Sequence, residues 1–314
     1  MSLNPQQNQA VTAEDGAVLV LAGPGSGKTR VLTQRIAHLI SQKGVRAYQI
    51  LAVTFTNKAA KEMKERVENL IGPQFVQGLM LGTFHSVCAR ILRREVMHLP
   101  YDTNFVIFDA DDQQMVVKTA LKELNIDDKR YRPRSVHGYI SNAKNELISP
   151  DNFPTTTYRD EVVKRVYARY QELLIENNAM DFDDLLVVTA RLLEENPGVR
   201  AQYAERFQHI LVDEFQDTNM AQYTLIKHLA SAHGNLFCVG DQDQSVYAWR
   251  GADYRNLRRF EKDFKNPEII LLEQNYRSKQ TILDAAMAVI KKNTNRRHKE
   301  LFSDLGAGNK LIYF

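Results

Sequence analysis

The chain has 314 residues, of which 44% are hydrophobic and 25% are charged, as is usual for a globular protein with room for about two domains. Its formal net charge of +3 is too small to indicate nucleic-acid binding without support from sequence patterns. Two separated cysteines, Cys88 and Cys238, argue against a zinc site or a disulfide framework and suit a reduced cytoplasmic compartment. The polar N-terminal sequence lacks a signal core, and no apolar run is long enough to cross a bilayer, so we expect neither export nor membrane insertion.

Short apolar segments alternate with longer helical patterns along the chain. Strands are predicted at residues 17–21, 50–54, 79–82, 210–213, 236–239 and 269–272. Such alternation predicts an α/β fold, with a parallel sheet covered by helices on both faces.

The interval between residues 82 and 210 has helical periodicity and few strand signals, which predicts an inserted helical subdomain. Two apolar stripes in it are predicted to face a core. The first consists of Val162, Val163, Val166, Tyr167, Tyr170, Leu173 and Leu174, and the second of Phe182, Leu185, Leu186, Thr189, Leu192 and Leu193.

Residues 21–29, LAGPGSGKT, place a glycine-rich turn between the first predicted strand and a helical pattern. In that position, backbone N–H groups and the positive end of the helix can surround phosphate groups. The residues expected to do so are Gly23, Gly25, Ser26 and Gly27. Ala22 replaces the first glycine of the usual pattern. The alternative is a glycine-rich turn that holds no ligand.

Two side chains at the end of this turn have their own predicted roles. Lys28 is expected to reach the β- and γ-phosphates of a nucleotide, and Thr29 to offer its hydroxyl to Mg²⁺.

An acidic pair ends the fourth predicted strand, in the sequence ILVDEFQD at 210–217. It is expected at the carboxyl edge of the sheet, where ligands bind in open α/β folds. Asp213 would hold Mg²⁺, and Glu214 would orient and deprotonate the water that attacks the γ-phosphate. The alternative is a pair of solvated acids without a catalytic role.

Six further blocks accompany these two motifs in order along the chain: LNPQQ at 3–7, VTFTNKAAKEM at 53–63, GTFHS at 82–86, DFDDLL at 181–186, VGDQDQSVYAWRGA at 239–252 and LEQNYRS at 272–278. Together the blocks resemble the superfamily 1 DNA helicases of the UvrD/Rep/PcrA type.

This resemblance implies a RecA-like P-loop NTPase sheet with an inserted, mainly helical subdomain. The implied division of the chain is a first motor segment at 1–86, a helical insertion at 87–204, a second motor segment at 205–277 and the opening of a second motor domain at 278–314. Residues after Ser278 resemble only the opening helix and strand of that second motor.

The resemblance also implies roles in binding ATP. Gln7 would read the adenine edge, since a side-chain amide can donate and accept hydrogen bonds simultaneously. Arg30 and Tyr276 would stack on opposite faces of the base. Gln244 and Arg277 would face the γ-phosphate, so the implied catalytic set is Lys28, Glu214, Gln244 and Arg277. Without its surrounding motif, the pair Tyr276 and Arg277 would suggest a core tyrosine or a surface ion pair.

The resemblance also implies a binding track for single-stranded DNA, formed by residues in three of the blocks. They are Phe55, Asn57, His85, Tyr247, Trp249 and Arg250. Aromatic rings stack on bases of any sequence, which suits a motor that moves along DNA. Two alternatives remain: Phe55 and Trp249 as core aromatics, and His85 as the partner in a structural hydrogen bond.

The expected function is therefore that of an ATP- and Mg²⁺-dependent DNA translocase that separates strands with 3′ to 5′ polarity, the polarity being implied by the resemblance alone. Its expected partners are single-stranded DNA and single/double-strand junctions, and its expected location is the cytoplasm. The chain by itself is expected to hydrolyse ATP slowly and not to unwind DNA.

Two alternatives to this function stay open. One is a nucleotide- and DNA-binding module without useful turnover. The other is a P-loop kinase or phosphotransferase, which would share Lys28 and Thr29 but leaves the QDQSVYAWRGA block at 242–252 unexplained.

Overall fold

The computed structural model describes residues 2–245, 252–253, 255–293 and 297–312. Its strands within these ranges are β1 (Ala17–Ala22), β2 (Ile50–Thr54), β3 (Met80–Thr83), β4 (Val106–Ile107), β5 (Ala179–Met180), β6 (His209–Val212), β7 (Leu236–Gly240) and β8 (Glu268–Leu272). Each of the six predicted strands is confirmed, with its ends displaced by at most one residue.

Helices fill most of the remaining described chain. They are α1 (Pro5–Thr12), α2 (Lys28–Ser41), α3 (Asn57–Ile71), α4 (Phe84–Arg94), α5 (Ala110–Glu123), α6 (Pro133–Asn145), α7 (Tyr158–Glu176), α8 (Phe182–Glu195), α9 (Pro197–Arg206), α10 (Met220–Leu229), α11 (Arg255–Asp263) and α12 (Gln280–Ile290). None of these helices combines the length and the apolar character needed to span a membrane.

Six strands form one parallel sheet in the order β3-β2-β6-β7-β1-β8. Because successive side chains of a strand point to opposite faces, the sheet has a core on each side. On one face, Leu19 and Leu21 of β1 pack with apolar residues of α4, α8 and α10. On the other face, Val18 and Val20 pack with residues of α1, α2 and α3. The predicted α/β fold with a parallel sheet covered on both faces is thus confirmed.

The predicted helical insertion has a core of its own between residues 116 and 179. All residues of its first apolar stripe, from Val162 to Leu174, are buried there as predicted. Helices at both ends of the interval, α4 and α8, pack instead against the main sheet. The domain boundaries at 87 and 204 stay a prediction.

Two features of the helical region differ from the sequence expectations. The short parallel pair β4 and β5 was not predicted, because strands of two residues show no period. Phe182, predicted to be in the core, is 49% exposed. The reason is its place at the first position of α8, where the ring reaches past the packed stripe and contacts His85 edge-on, with ring centroids 6.0 Å apart.

The chain after β8 returns to the loop that follows β1. The predicted opening helix is present as α12. In the described range 297–312 there is no strand, and Phe302 instead forms an isolated parallel bridge with Gln274. Leu301 of this segment reaches the backbone of Gly23.

Candidate functional site

The carboxyl ends of the parallel strands bring the predicted motifs to one edge of the sheet. The glycine-rich loop follows β1, the acidic pair follows β6, Asp241 follows β7 and Asn275 lies just beyond β8. Phe55 follows β2, and His85 lies in the first turn after β3. Motifs that are far apart in sequence therefore meet at a single edge, as expected for a ligand site in an open α/β fold.

The glycine-rich loop is shaped to present backbone N–H groups. Gly25 and Gly27 have φ angles of +67° and +88°, which side chains other than glycine rarely adopt. Helix α2 begins at Lys28, and its N-cap Gly27 provides no side-chain cap. The N–H groups of the first helical turn are therefore directed to a ligand position rather than to a capping side chain.

Gly23 and Ser26 make hydrogen bonds within the protein, and their contact with phosphate stays a prediction. The N–H of Gly23 donates to the Leu272 carbonyl at 3.1 Å, beside the pairing of β1 with β8. A Cβ at this position would lie 2.3 Å from a methyl carbon of Leu301, so a larger residue would require the Leu301 side chain to move. The Ser26 hydroxyl is buried and donates to the Gly23 carbonyl at 2.7 Å, which closes the loop internally.

Three of the predicted catalytic residues meet above the loop. The Nζ of Lys28 lies 3.5 Å from a carboxylate oxygen of Glu214 and 3.4 Å from the Oε1 of Gln244. Glu214 has φ +50° and ψ +43°, a left-handed conformation that is costly for a residue with a side chain. Strained backbone of this kind is concentrated at functional positions, because the surrounding structure must hold it in place.

The sequence motifs did not assign a role to Gln216, which holds Glu214 in place. Its buried Nε2 donates to Glu214 Oε2 at 2.9 Å, and its Oε1 accepts from the Asp241 N–H at 2.8 Å. A Cβ on Gly240 would lie 2.6 Å from this Oε1, so glycine makes the contact possible. The signal that could have identified Gln216 is its place in the DEFQD run beside Glu214.

The predicted magnesium residues line one cavity of about 380 Å³, together with Glu214 and Gln244. The hydroxyl of Thr29 and the carboxylate of Asp213 are oxygen donors, which Mg²⁺ prefers. Burial, and next to it the Glu214 charge, raises the pKa of Asp213 to about 6, so a cation here would relieve an unfavourable negative charge. No group of three or more His, Cys, Asp or Glu side chains among the described residues could hold a metal by itself. Two protein ligands suit Mg²⁺ bound together with nucleotide phosphates and water.

The predicted adenine residues lie around the other side of the glycine-rich loop. Gln7 is fully buried, donates from Nε2 to the Ser26 carbonyl at 2.9 Å and accepts at Oε1 from the Asn4 N–H at 3.1 Å. Beyond these two hydrogen bonds the amide has one further Nε2 hydrogen and one further Oε1 lone pair, and its contact with a base stays a prediction. Tyr276 is 39% exposed, and its hydroxyl accepts from Asn4 Nδ2 at 2.9 Å. Arg30 lies in the first turn of α2, and its guanidinium donates to the Ser2 carbonyl at 3.4 Å.

Asn275 ties the segment of Tyr276 and Arg277 to the loop. Its Nδ2 donates to the Pro24 carbonyl, and its Oδ1 accepts from the N–H groups of Arg277 and Ser278 at 2.8 and 2.7 Å. Arg277 is exposed, and its Cβ is so close to Gly25 that a Cβ on residue 25 would lie 2.7 Å away. This backbone linkage places Arg277 at the loop, and the motif LEQNYRS was its only signal in the sequence.

A second cleft, of about 720 Å³, lies beside the cavity of about 380 Å³ that contains Thr29 and Asp213. Two of the predicted DNA residues, Phe55 and His85, line this cleft. The exposed ring of Phe182 and the side chain of Asn219 also line it. Burial lowers the pKa of His85, so its imidazole is neutral at neutral pH.

The remaining predicted DNA residues are Asn57, which the structure describes, and three that it does not describe. Asn57 is exposed in the first turn of α3, outside the cleft. Tyr247, Trp249 and Arg250 lie outside the described residues.

Phe55 lies at the boundary between the two cavities, which share it with Thr56 and Asp217. It is half-buried, and one edge packs against Phe84 with ring centroids 6.0 Å apart. Phe55 therefore has both a core contact and an accessible surface, and its stacking on DNA stays a prediction.

The parallel sheet, with a glycine-rich loop between β1 and the N-terminus of α2, defines a P-loop nucleotide-binding fold. The family model described as "UvrD/REP helicase N-terminal domain" matches residues 3–265. The chain belongs to this family.

Curated relatives support the same assignment. The chain is 52% identical over 314 residues to "ATP-dependent DNA helicase PcrA" of Bacillus subtilis, an alignment that covers 99% of this chain and 42% of the relative. It is 51% identical to the protein of that name from Staphylococcus aureus, with 99% and 43% covered, and 50% identical to that from Staphylococcus epidermidis, with 100% and 43% covered. The chain thus spans less than half the length of the curated relatives that it matches.

Proposed function

We propose that this chain is the ATP-binding motor region of a DNA helicase, which hydrolyses ATP with Mg²⁺ and moves along single-stranded DNA. The observation that carries the proposal is the meeting of Lys28, Glu214 and Gln244 above the glycine-rich loop, next to a cleft lined by aromatic rings. The names of the relatives support the same function. The 3′ to 5′ polarity, the preference for single/double-strand junctions and the cytoplasmic location are proposed from resemblance alone.

ATP would bind with its phosphates at the N-terminus of α2 and its adenine between Arg30 and Tyr276. Lys28 would then exchange its contact with Glu214 for the β- and γ-phosphates. The adenine would receive the remaining Nε2 hydrogen of Gln7 and donate to its Oε1. Thr29 and Asp213 would hold Mg²⁺, which supplies positive charge to the phosphate oxygens when bound.

Hydrolysis requires a water in line with the bond between the γ-phosphorus and the β,γ-bridging oxygen. The water oxygen attacks the γ-phosphorus, that bond breaks, and ADP leaves with the bridging oxygen. The carboxylate of Glu214, oriented by Gln216, accepts the proton of the water. Lys28 and Arg277 would stabilise the charge on the phosphate oxygens.

DNA would bind in the second cleft, where Phe55 and Phe182 offer rings for base stacking. Phe55, Thr56 and Asp217 line both cavities, so a movement of these residues when the γ-phosphate binds or leaves would also alter the DNA cleft. Shared residues of this kind can make the affinity for DNA depend on which nucleotide is bound.

A second candidate function is a nucleotide- and DNA-binding module with negligible turnover. The described residues bring Lys28 and Arg277 to the glycine-rich loop, and the resemblance implies that a second motor supplies a further arginine. Such an arginine contributes about 10³- to 10⁵-fold in related phosphoryl transfers.

Steady-state ATP hydrolysis, measured with and without oligothymidine, tests the proposed function. We expect slow hydrolysis that DNA accelerates, and its loss in Glu214→Gln, which keeps ATP binding because the amide has the shape of the acid but accepts no proton. Glu65→Gln, an exposed substitution in α3, is the matched control. Binding without any hydrolysis would favour the second candidate, and absence of ATP binding would contradict both.

A further inference from the structure

Lys299 is a buried lysine for which the sequence motifs give no role. Its side chain is 1% exposed, and its Nζ lies 2.6 Å from Asp241 Oδ1 and 3.2 Å from Asp243 Oδ2. A lysine is rarely buried completely unless it is paired, because the loss of hydration is costly. Its burial therefore depends on the two carboxylates, both of which lie in the turn after β7.

The segment that carries Lys299 is fixed by contacts that do not involve its charge. Gln242 donates from Nε2 to the Arg297 carbonyl at 2.6 Å and accepts at Oε1 from the Arg297 N–H at 3.1 Å. Phe302 exchanges backbone hydrogen bonds with the chain after β8, accepting from Asn275 and donating to Glu273. The chain is thus fixed both before Lys299, at Arg297, and after it, at Phe302, and these contacts place Lys299 next to Asp241.

Asp241 connects this lysine to Gln244. While Oδ1 accepts from Lys299, Oδ2 accepts from the Nε2 of Gln244 at 2.7 Å. An amide that donates from Nε2 to Asp241 must direct its Oε1 elsewhere, and this oxygen accepts from Lys28 Nζ at 3.4 Å. A continuous chain of hydrogen bonds therefore runs from Lys299 through Asp241 and Gln244 to Lys28.

We propose that Lys299 is a positioning residue, which holds the Asp241 carboxylate so that Gln244, with one Nε2 hydrogen bonded to Asp241, presents its second Nε2 hydrogen to the γ-phosphate of bound ATP. This inference rests on the proposed nucleotide site. Without Lys299, the buried Asp241 carboxylate stands beside Asp243 without its cationic partner and no longer fixes the rotamer of Gln244. ATP then loses a contact that ADP, which has no γ-phosphate, never makes.

The test compares two nucleotides in Lys299→Met, which keeps a chain of similar length and removes the charge. We expect the affinity for the β,γ-imido analogue of ATP to fall about tenfold, the loss typical of a hydrogen bond to a charged group, with ADP affinity nearly unchanged. Gln244→Ala is expected to cause the same selective loss. The double variant should be no weaker than Gln244→Ala, because Lys299 acts through Gln244.

Glu261→Gln is the matched control, since it removes the ion pair of Glu261 with Arg297 on the same segment without touching Asp241. Its ratio of ATP-analogue affinity to ADP affinity should equal that of the wild type. Thermal melting is measured for every variant. If Lys299→Met is unfolded at the assay temperature, Lys299→Gln replaces it and the same selective loss is expected.

The outcomes separate this inference from the proposed function. A wild-type chain that binds neither nucleotide overturns both. A wild type that binds both nucleotides, with an unchanged ratio in Lys299→Met, overturns the positioning role and leaves the nucleotide site standing. Equal losses for the ATP analogue and ADP, or additive losses in the double variant, also overturn it, since they indicate a general structural effect.

Discussion

Lys28 is the single residue on which the nucleotide site depends most directly. Lys28→Ala should lower the affinity for Mg-ATP at least about tenfold, because a cation that faces phosphate is lost. The fold should persist, since Lys28 contacts Glu214 and Gln244 rather than the apolar core. Isothermal titration with ATP and thermal melting measure the two effects. Lys310→Ala, at an exposed lysine, is the control, and wild-type affinity in Lys28→Ala would refute the assignment.

Gln7 has two roles that base selectivity can separate. Gln7→Ala should weaken binding of both ATP and GTP, because the contact with the Ser26 carbonyl beside the loop is lost. It should weaken ATP more, because the donor and acceptor of the amide match the adenine edge. Competition titrations with the two nucleotides give the ratio, with exposed Gln6→Ala as the control. If Gln7→Ala lowers the affinities for ATP and GTP equally, Gln7 has a structural role and does not recognise the base.

Individual residues also show where sequence patterns lose information. Lys28, Asp213 and Glu214 belong to motifs with a direct chemical interpretation, and the structure brings them to one cavity or its edge. Gln216 and Lys299 act through tertiary contacts, and the Lys299–Asp241 pair joins positions 58 residues apart. The use of the Gly23 N–H within the sheet could not be predicted, because it depends on the pairing of β1 with β8.

At the scale of elements, periodicity predicted the long buried strands and helices, and failed for the shortest strands and for the first turn of one helix. Parallel strands covered on both faces are continuous apolar runs, so their limits were predicted within one residue. Strands β4 and β5 are too short to show a period. Phe182 follows the apolar period of α8, but the first turn of a helix can project beyond its packing partner, as it does here.

Phe55 lies in the loop between β2 and α3, and substitutions can distinguish a role in stacking on DNA bases from a role in the core. Phe55→Ala should weaken binding of oligothymidine by about 1–3 kcal/mol, with little dependence on base sequence. Phe84→Ala, at the buried ring that Phe55 contacts, should instead lower the free energy of unfolding by about 3–5 kcal/mol. Fluorescence anisotropy and urea unfolding of both variants give the comparison. A Phe55 variant that loses stability but not DNA affinity would assign Phe55 to the core.

Strand β6 begins with a buried histidine whose titration affects stability. Burial lowers the pKa of His209 from 6.5 to about 4. Between these values the unfolded chain binds a proton that the folded chain does not bind, so stability is full above pH 6.5 and falls as the pH drops toward 4. The contribution is at most about 3 kcal/mol.

His209→Asn should therefore reduce the loss of unfolding free energy between pH 7.5 and 4.5. Urea unfolding at several pH values measures this slope for the wild type and the variant. Gln208→Asn, at the neighbouring position and without a titratable group, is the control and should keep the wild-type slope. An unchanged slope in His209→Asn would show that folding does not lower the pKa of His209.

At the scale of the whole molecule, one sheet edge carries both proposed binding sites. The cavity of about 380 Å³ and the cleft of about 720 Å³ share Phe55, Thr56 and Asp217. Asp217 is buried, and burial, followed by the charge of Glu214, raises the pKa of Asp217 to about 6. The ionisation of Asp217 therefore responds to charges in the neighbouring cavity of about 380 Å³. We therefore expect that a charged nucleotide bound in that cavity changes the ionisation of Asp217, which also lines the proposed DNA cleft.

The reciprocal effect of nucleotide and DNA on each other tests this linkage most directly. Dissociation constants for oligothymidine are measured without nucleotide, with ADP and with the β,γ-imido analogue of ATP, and those for the analogue with and without DNA. We predict that the analogue changes DNA affinity by at least about fivefold and that DNA changes analogue affinity by the same factor, as linkage requires. DNA and nucleotide that bind with unchanged affinities in each other's presence would contradict coupling across the shared residues.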